Sequence, residues 1–281
     1  MNALVTGGTG GIGKEIARGL AQRGARVMIV GHDAGNGADA VRELPGTVEF
    51  LQADLTSMVE TERLAREVSR RCDTVHTLVL SAGMVRGRRV LTPEGIESNF
   101  ALGYLSRFAL VGHLQTFLCP AARVLIINGA ARNGTIHYED VNLGRRFSTI
   151  RVVSQLAAAN DVFTLELARR RPDLTVLGLK LGPVRTGIRR QFPLWMKILV
   201  PLFLDPFVTQ PVERIGEAAL RLLVSAGFES ASGRLFQFIR RFKPVDPGTD
   251  TGSPDAGRRL WELSARLVAG AVDDRHLTLL R

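Results

Sequence analysis

The sequence predicts an α/β protein built on a doubly wound parallel sheet with helices on both faces. Three observations predict it. A glycine-rich stretch, Thr6 to Gly13, joins a short apolar run to an amphipathic helix. Apolar runs of strand length then alternate with helical patterns, the order that builds a parallel sheet. Finally, 281 residues, 45% hydrophobic and 23% charged, suit a single large domain spanning 1–281.

The first strand is Ala3 to Val5, and Lys14 to Gln22 is a helix with Ile16, Ala17 and Leu20 on one face. Arg26 to Val30 is the second strand, followed by a helix around Ala38 to Leu44. Val48 to Ala53 is the third strand, ending at Asp54-Leu55, and Met58 to Arg70 is an amphipathic helix. Thr77 to Leu80 is a short buried strand ending in Ser81-Ala82-Gly83. A long helix is expected from Thr92 to Leu118, because Thr92 can cap it and Pro93 fits its first turn. Arg123 to Ile127 is the fifth strand, Thr149 to Arg171 a long helix and Thr175 to Leu181 the sixth strand. A helix from Gln210 to Ser225 and a strand near Arg234 to Phe238 follow. Residues 244–256, rich in Pro, Gly, Asp, Thr and Ser, are expected to be a loose linker to a last helix, Arg258 to Ala269. Residues 187–209, centred on the apolar segment Gln191 to Val208, interrupt the rhythm. Three prolines and two charges make that segment too broken for a membrane span. It is expected to be a hydrophobic lid over an apolar substrate, with a membrane-surface contact or plain core packing as alternatives.

The glycine stretch carries chemistry. Some turn positions need positive φ, and others must be bare so that backbone N–H groups can approach a phosphate at the helix N-terminus. Gly7, Thr9, Gly10, Gly11, Ile12 and Gly13 are therefore candidate dinucleotide-binding residues in a Rossmann-type unit. At the end of the second strand, an acidic residue would hold ribose hydroxyls, whereas a basic one would accommodate a 2′-phosphate. Gly31 and His32 stand there, which favours NADPH over NADH, while Asp33 is one residue late and suits a turn.

The net charge of +10 comes almost wholly from arginine, for only Lys14, Lys180, Lys197 and Lys243 are lysines. The arginine pairs are scattered without sustained aromatic interleaving and form no nucleic-acid module, so a solvated basic surface is expected. Two cysteines, Cys72 and Cys119, and no recognisable leader point to a cytoplasmic protein without disulfides. No metal site is expected.

Together these residues resemble the short-chain dehydrogenase/reductase family. Thr6 to Gly13 matches its TGxxxGIG, and Asp54-Leu55 matches its adenine-contacting Asp-Leu pair. Ser81-Ala82-Gly83 matches the end of its NNAG element, with Ser81 replacing an asparagine. Glu97-Ser98-Asn99-Phe100 matches the helix carrying its active-site asparagine. The retinol dehydrogenase-like branch is closer. The stretch from Asn160 to Arg170 is similar to its NVLFTRELARR, and Arg259 to Ser264 to its RLWELS. Gly182-Pro183-Val184-Arg185-Thr186 is similar to its PGxVxT, which implies cofactor contacts from Gly182, Pro183, Val184 and Thr186.

The resemblance also implies a serine after the fifth strand and Tyr-x-x-x-Lys at the start of the long helix. Here Gly129, Val153 and Ala157 fill those slots. Asn99 has lost the lysine of its proton relay and is expected to brace its helix. Hydride transfer belongs to the cofactor, and losing a positioned acid slows a ketone reduction without forbidding it. The replacement proton could come from a phenol beside the substrate carbonyl, from water in the emptied pocket, or from Ser81, Ser154, His137, Tyr138 or Lys180. A ketoreductase acting on a large hydrophobic ketone of the aromatic polyketide kind follows, as a monomer or homodimer. The alternatives are a non-redox dinucleotide- or polyketide-binding protein and a cyclase or isomerase.

Overall fold

The computed structural model describes residues 1–129, 131, 134–181, 210–238, 242–248 and 251–272. Residues 182–186 and the expected lid at 187–209 lie outside the described residues. The described elements are β1 (Asn2–Thr6), α1 (Gly11–Gln22), β2 (Arg26–Gly31), α2 (Ala34–Glu43), β3 (Val48–Gln52), α3 (Met58–Arg71) and β4 (Val75–Leu80). Next come α4 (Ser98–Phe100), a π-helical turn (Ala101–Leu105), α5 (Ser106–Leu114) and β5 (Leu118–Gly129). The chain continues through α6 (Thr149–Arg170), β6 (Thr175–Leu181), α7 (Val212–Val224), β7 (Arg234–Phe238), β8 (Phe242–Val245) and α8 (Pro254–Ala271).

The sheet order is β3-β2-β1-β4-β5-β6-β7-β8. The first seven strands are parallel, and β8 pairs antiparallel with β7 at the edge. Apolar side chains alternate between the two faces. Leu4, Met28 and Val30 enter the core under α3, α5, α6 and α8, while Val5, Val27 and Ile29 enter the core under α1 and α7. Both faces are therefore covered, as a parallel sheet requires.

Two expectations fail for identifiable reasons. The helix expected over residues 92–118 starts at Ser98 and ends at Leu114. Thr92 instead closes a turn, its carbonyl accepting from Gly95 N–H at 2.9 Å, and Gly95 has φ +77°. That conformation cannot continue a helix, so the cap passes to Glu97, whose carboxylate accepts from the N–H groups of Asn99 and Phe100. The linker expected at 244–256 begins inside β8 and ends inside α8. Pro244 is tolerated because β8 is an edge strand. Phe242 anchors that strand in a cluster with Phe228, Phe236 and Phe238.

The last helix clamps the α6 face. Trp261 lies edge-on to Phe108 and against Phe163, and Tyr104 shares a 2.7 Å hydrogen bond with Ser264. Gly257 leaves room for the Glu166 carboxylate, which Arg169 and Arg170 grip at 2.6–2.8 Å. Burial pushes the Glu166 pKa up, but the two guanidinium groups outweigh it and hold it below the ordinary value. A lowered carboxylate pKa gives stability that is present above the unfolded value and lost as pH falls through the folded one. Denaturant unfolding from pH 6 to pH 3 is therefore expected to show a steeper loss for the wild type than for Glu166→Gln. Equal slopes would remove Glu166 from the acid limb.

Candidate active site

The strand order reverses between β1 and β4, so the crevice that takes a ligand opens above their carboxyl ends. Thr6 ties the two ends together. Its hydroxyl donates to the Val79 carbonyl at 3.3 Å and accepts from the N–H groups of Ser81 and Ala82 at 3.1 and 3.2 Å. Gly7, at φ +68°, lets the turn pass so close that a Cβ there would lie 2.9 Å from Ala82 Cα. A Cβ on Gly13 would run into the Gly7 carbonyl, so that glycine packs α1 against the turn. Gly10 and Gly11 differ. A Cβ on either would meet nothing within 4 Å, and Gly10 caps α1 with no side chain. Bare backbone before an uncapped helix N-terminus fits the pyrophosphate of a dinucleotide. Thr9 and Ile12 complete this turn, with Ile12 buried in the core.

At the adenosine end, Gly31 is fixed by packing, because a Cβ would lie 2.7 Å from Thr9 Cγ2. His32 is exposed, with its carbonyl accepting from Gln52 Nε2 at 3.0 Å. The Asp33 side chain caps α2 by accepting from Asn36 N–H at 2.7 Å. Leu55 is buried, and the exposed Asp54 accepts from Thr56 N–H at 2.9 Å.

The three slots that the family resemblance leaves empty are found at the end of β5 and on the first half of α6. Gly129 is exposed and a Cβ there would meet nothing within 4 Å. Val153 is 36% exposed and Ala157 is buried. Asn99 is buried and engaged. Its Nδ2 donates to Glu97 Oε1 at 2.8 Å and its Oδ1 accepts from Arg86 N–H at 2.6 Å.

The alternative donors are dispersed. Ser81 lies at the glycine turn, where its hydroxyl would be 3.0 Å from a Cβ on Gly13. Ser154 accepts from Thr135 N–H at 3.2 Å, pinning the loop after β5 onto α6. His137 and Tyr138 line a cavity of about 370 Å³ with Arg145, Arg151 and Arg259. Burial, followed by the charge of Arg151, lowers the His137 pKa. Tyr138 turns towards α8, donating to the Ala256 carbonyl at 3.3 Å under the Arg259 guanidinium, 4.3 Å from its ring centre. Lys180 is buried and forms an ion pair with Asp161. Asn128 Nδ2 donates to Asp161 Oδ1 at 3.0 Å and to the Ala157 carbonyl at 2.9 Å. Burial raises the Asp161 pKa despite the opposing charge of Lys180.

Sequence reasoning missed Asn128, Asp161 and Arg107 as members of this floor. A signal existed for two of them. Arg107 is the one arginine in a mostly apolar helix, and Asp161 stands where the motif NVLFTRELARR has valine. Among the described residues, no cluster of three or more His, Cys, Asp or Glu could hold a metal, and no helix is long and apolar enough to cross a membrane. Much of the basic surface is internally paired, as on α3, where Arg63 and Arg71 bind Glu60, Glu67 and Glu49.

The fold and the glycine crevice define a class, the dinucleotide-binding proteins of doubly wound topology. The short chain dehydrogenase profile matches residues 1–143. Retinol dehydrogenase 13 of Mus musculus is 30% identical over 283 residues, covering 96% of this chain and 84% of that protein. DnrU of Streptomyces sp. (strain C5), named as a daunorubicin C-13 ketoreductase, is 28% identical, covering 94% of this chain and 91% of its own. A crystal structure of an uncharacterized Mycobacterium paratuberculosis protein superposes with a TM-score of 0.74 at 26% identity, covering 95% of this chain and 92% of that one. The chain belongs to the short-chain dehydrogenase/reductase family and is an NAD(P)-dependent oxidoreductase.

Proposed function

We propose that this protein is an NADPH-dependent ketoreductase that works without the usual serine, tyrosine and lysine. Its substrate is a large hydrophobic ketone of the aromatic polyketide type, such as a phenol-flanked angucyclinone. One observation carries this proposal. The phosphate turn keeps its bare glycines, while a Cβ on Gly129 would meet nothing within 4 Å and the two helix slots hold only the half-exposed Val153 and the buried Ala157. Small or apolar residues in those three slots favour a hydrophobic ring system over a small polar ketone. The NADPH preference rests on Gly31, which offers no carboxylate, on the exposed His32 and on Asp33, whose side chain is held as a helix cap. A relative named for ketone reduction at C-13 of daunorubicin supports the ketone class.

Bound NADPH supplies the hydride. The chain's part is to hold the dinucleotide across the β1 and β4 ends and to shape the apolar floor. The apolar composition of residues 187–209 supports a role in covering the ketone, and the motif at Gly182, Pro183, Val184 and Thr186 supports further cofactor contacts; both lie outside the described residues. The proton for the developing alkoxide comes from the substrate's own phenol or from water, because Ser154, Tyr138 and Lys180 are each held by partners within the fold. We place the enzyme in the cytoplasm, as a monomer or homodimer.

Fluorescence titration of the purified chain with NADPH and NADH is the first test, and tighter binding of NADPH is expected. Turnover of a phenol-flanked polycyclic ketone is then expected to fall roughly 10²- to 10⁴-fold when the phenol is methylated, the usual effect of losing a positioned acid. Ser154→Ala should leave turnover within a few-fold. NADPH that binds without ever being consumed would favour a binding protein on the same fold.

A further inference from the structure

Arg107 lies on α5 in an otherwise apolar stretch and is 5% exposed. Its Nη1 donates to the Ile127 carbonyl at 2.7 Å and to Asn160 Oδ1 at 2.8 Å, and its Nη2 donates to the Ala82 carbonyl at 2.9 Å. All three acceptors are neutral. Nε is buried without a hydrogen-bond partner. No carboxylate pairs with the guanidinium among the described residues, and burial alone pulls its pKa down to about 9, so the charge persists at neutral pH. Burying an uncompensated cation is costly, and three neutral carbonyls could be joined more cheaply by a neutral side chain.

The position of the charge suggests what it does. Ala82 and Gly83 follow β4 at the point where the strand order reverses, and Ala82 lies directly against the glycine turn. A Cβ on Gly83 would be 3.7 Å from Arg107 Nη2. Asn160 is one helical turn beyond Ala157, the slot in which the family resemblance implies a lysine. The neighbouring Lys180 and Asp161 offset each other's charge. Among Arg107, Lys180 and Asp161, the charge left over is therefore the positive one of Arg107.

We infer that Arg107 is the fixed cation of the cofactor crevice. It takes the electrostatic place of the lysine missing at Ala157 and favours the reduced, uncharged nicotinamide ring over the oxidised, cationic one. This rests on the cofactor assignment proposed above. The two cofactor forms share every phosphate, so the ratio of their affinities isolates the ring charge. For unit charges about 12 Å apart at an effective dielectric near 20, the repulsion corresponds to about tenfold in binding. The same positive field stabilises negative charge developing on a ketone oxygen.

Calorimetric titration of the full chain with NADPH and NADP⁺ tests the inference, alongside thermal unfolding of each variant. The wild type is expected to bind NADPH about tenfold more tightly than NADP⁺. Arg107→Met should bring that ratio close to one. Arg107→Lys keeps the charge but loses the fork, so it should lower the melting temperature while keeping the ratio within about threefold of wild type. A wild-type ratio of one or less overturns the inference, as does a ratio that survives Arg107→Met. Should the Met variant fail to fold, the Lys variant decides: a retained ratio supports a charge effect, and a collapsed ratio assigns Arg107 to hydrogen bonding alone. If neither form binds the wild type, it is the proposed cofactor that fails.

Discussion

Gly10→Ala is expected to fold like the wild type and to bind NADPH more than tenfold more weakly, whereas Gly13→Ala should lose stability as well as binding. The two glycines are three residues apart in one motif, yet the structure gives them different work. Gly10 has φ −166°, which any residue adopts, and a Cβ there would meet nothing within 4 Å. The added methyl would therefore stay within about 0.5 kcal/mol of neutral for folding. It would stand in front of the uncapped α1 N-terminus, where an anion must approach bare backbone. Gly13 instead packs against the Gly7 carbonyl, and forcing a methyl into that contact should cost about 1–3 kcal/mol. Melting temperature and fluorescence titration separate the two effects. Unchanged NADPH affinity in Gly10→Ala would move the phosphates away from this turn.

Lys180→Met is expected to destabilise the protein by about 3–5 kcal/mol, the usual result of leaving one member of a buried ion pair alone. For a chain of this size that is roughly a 10 °C fall in melting temperature. Asp161 would keep its bond from Asn128 Nδ2 but lose the Lys180 cation, with its carboxylate already disfavoured by burial. The double variant Asp161→Leu with Lys180→Met removes both charges and should recover most of the loss, because replacing a buried pair by apolar groups is often near neutral. The double variant also tests Lys180 as the proton source. Turnover retained in a stable double variant leaves the proton to substrate or water. Turnover lost in a variant that still binds NADPH would restore Lys180 to the chemistry.

What the sequence determined by itself was whatever depends on local spacing. The glycine turn, the alternation of strand and helix and the motif from Asn160 to Arg170 are all contiguous, and each survives in the fold. The reading of Gly129, Val153 and Ala157 as emptied slots rests on the same contiguous spacing and stays with the proposal. Tertiary structure decided the rest. Thr92-Pro93-Glu94 has the composition of a helix start, but the positive φ of Gly95 and the buried carboxylate of Glu97 move the start to Ser98. Pro244 and Val245 open the stretch whose composition reads as a linker, yet four phenylalanines make them part of an edge strand. Arg107, Asn128, Asp161 and Lys180 come from two helices and two strands, and only the close packing of α5 and α6 on β5 and β6 brings them beneath one crevice. A buried charge takes its meaning from the groups that surround it, and those groups lie far apart along the chain.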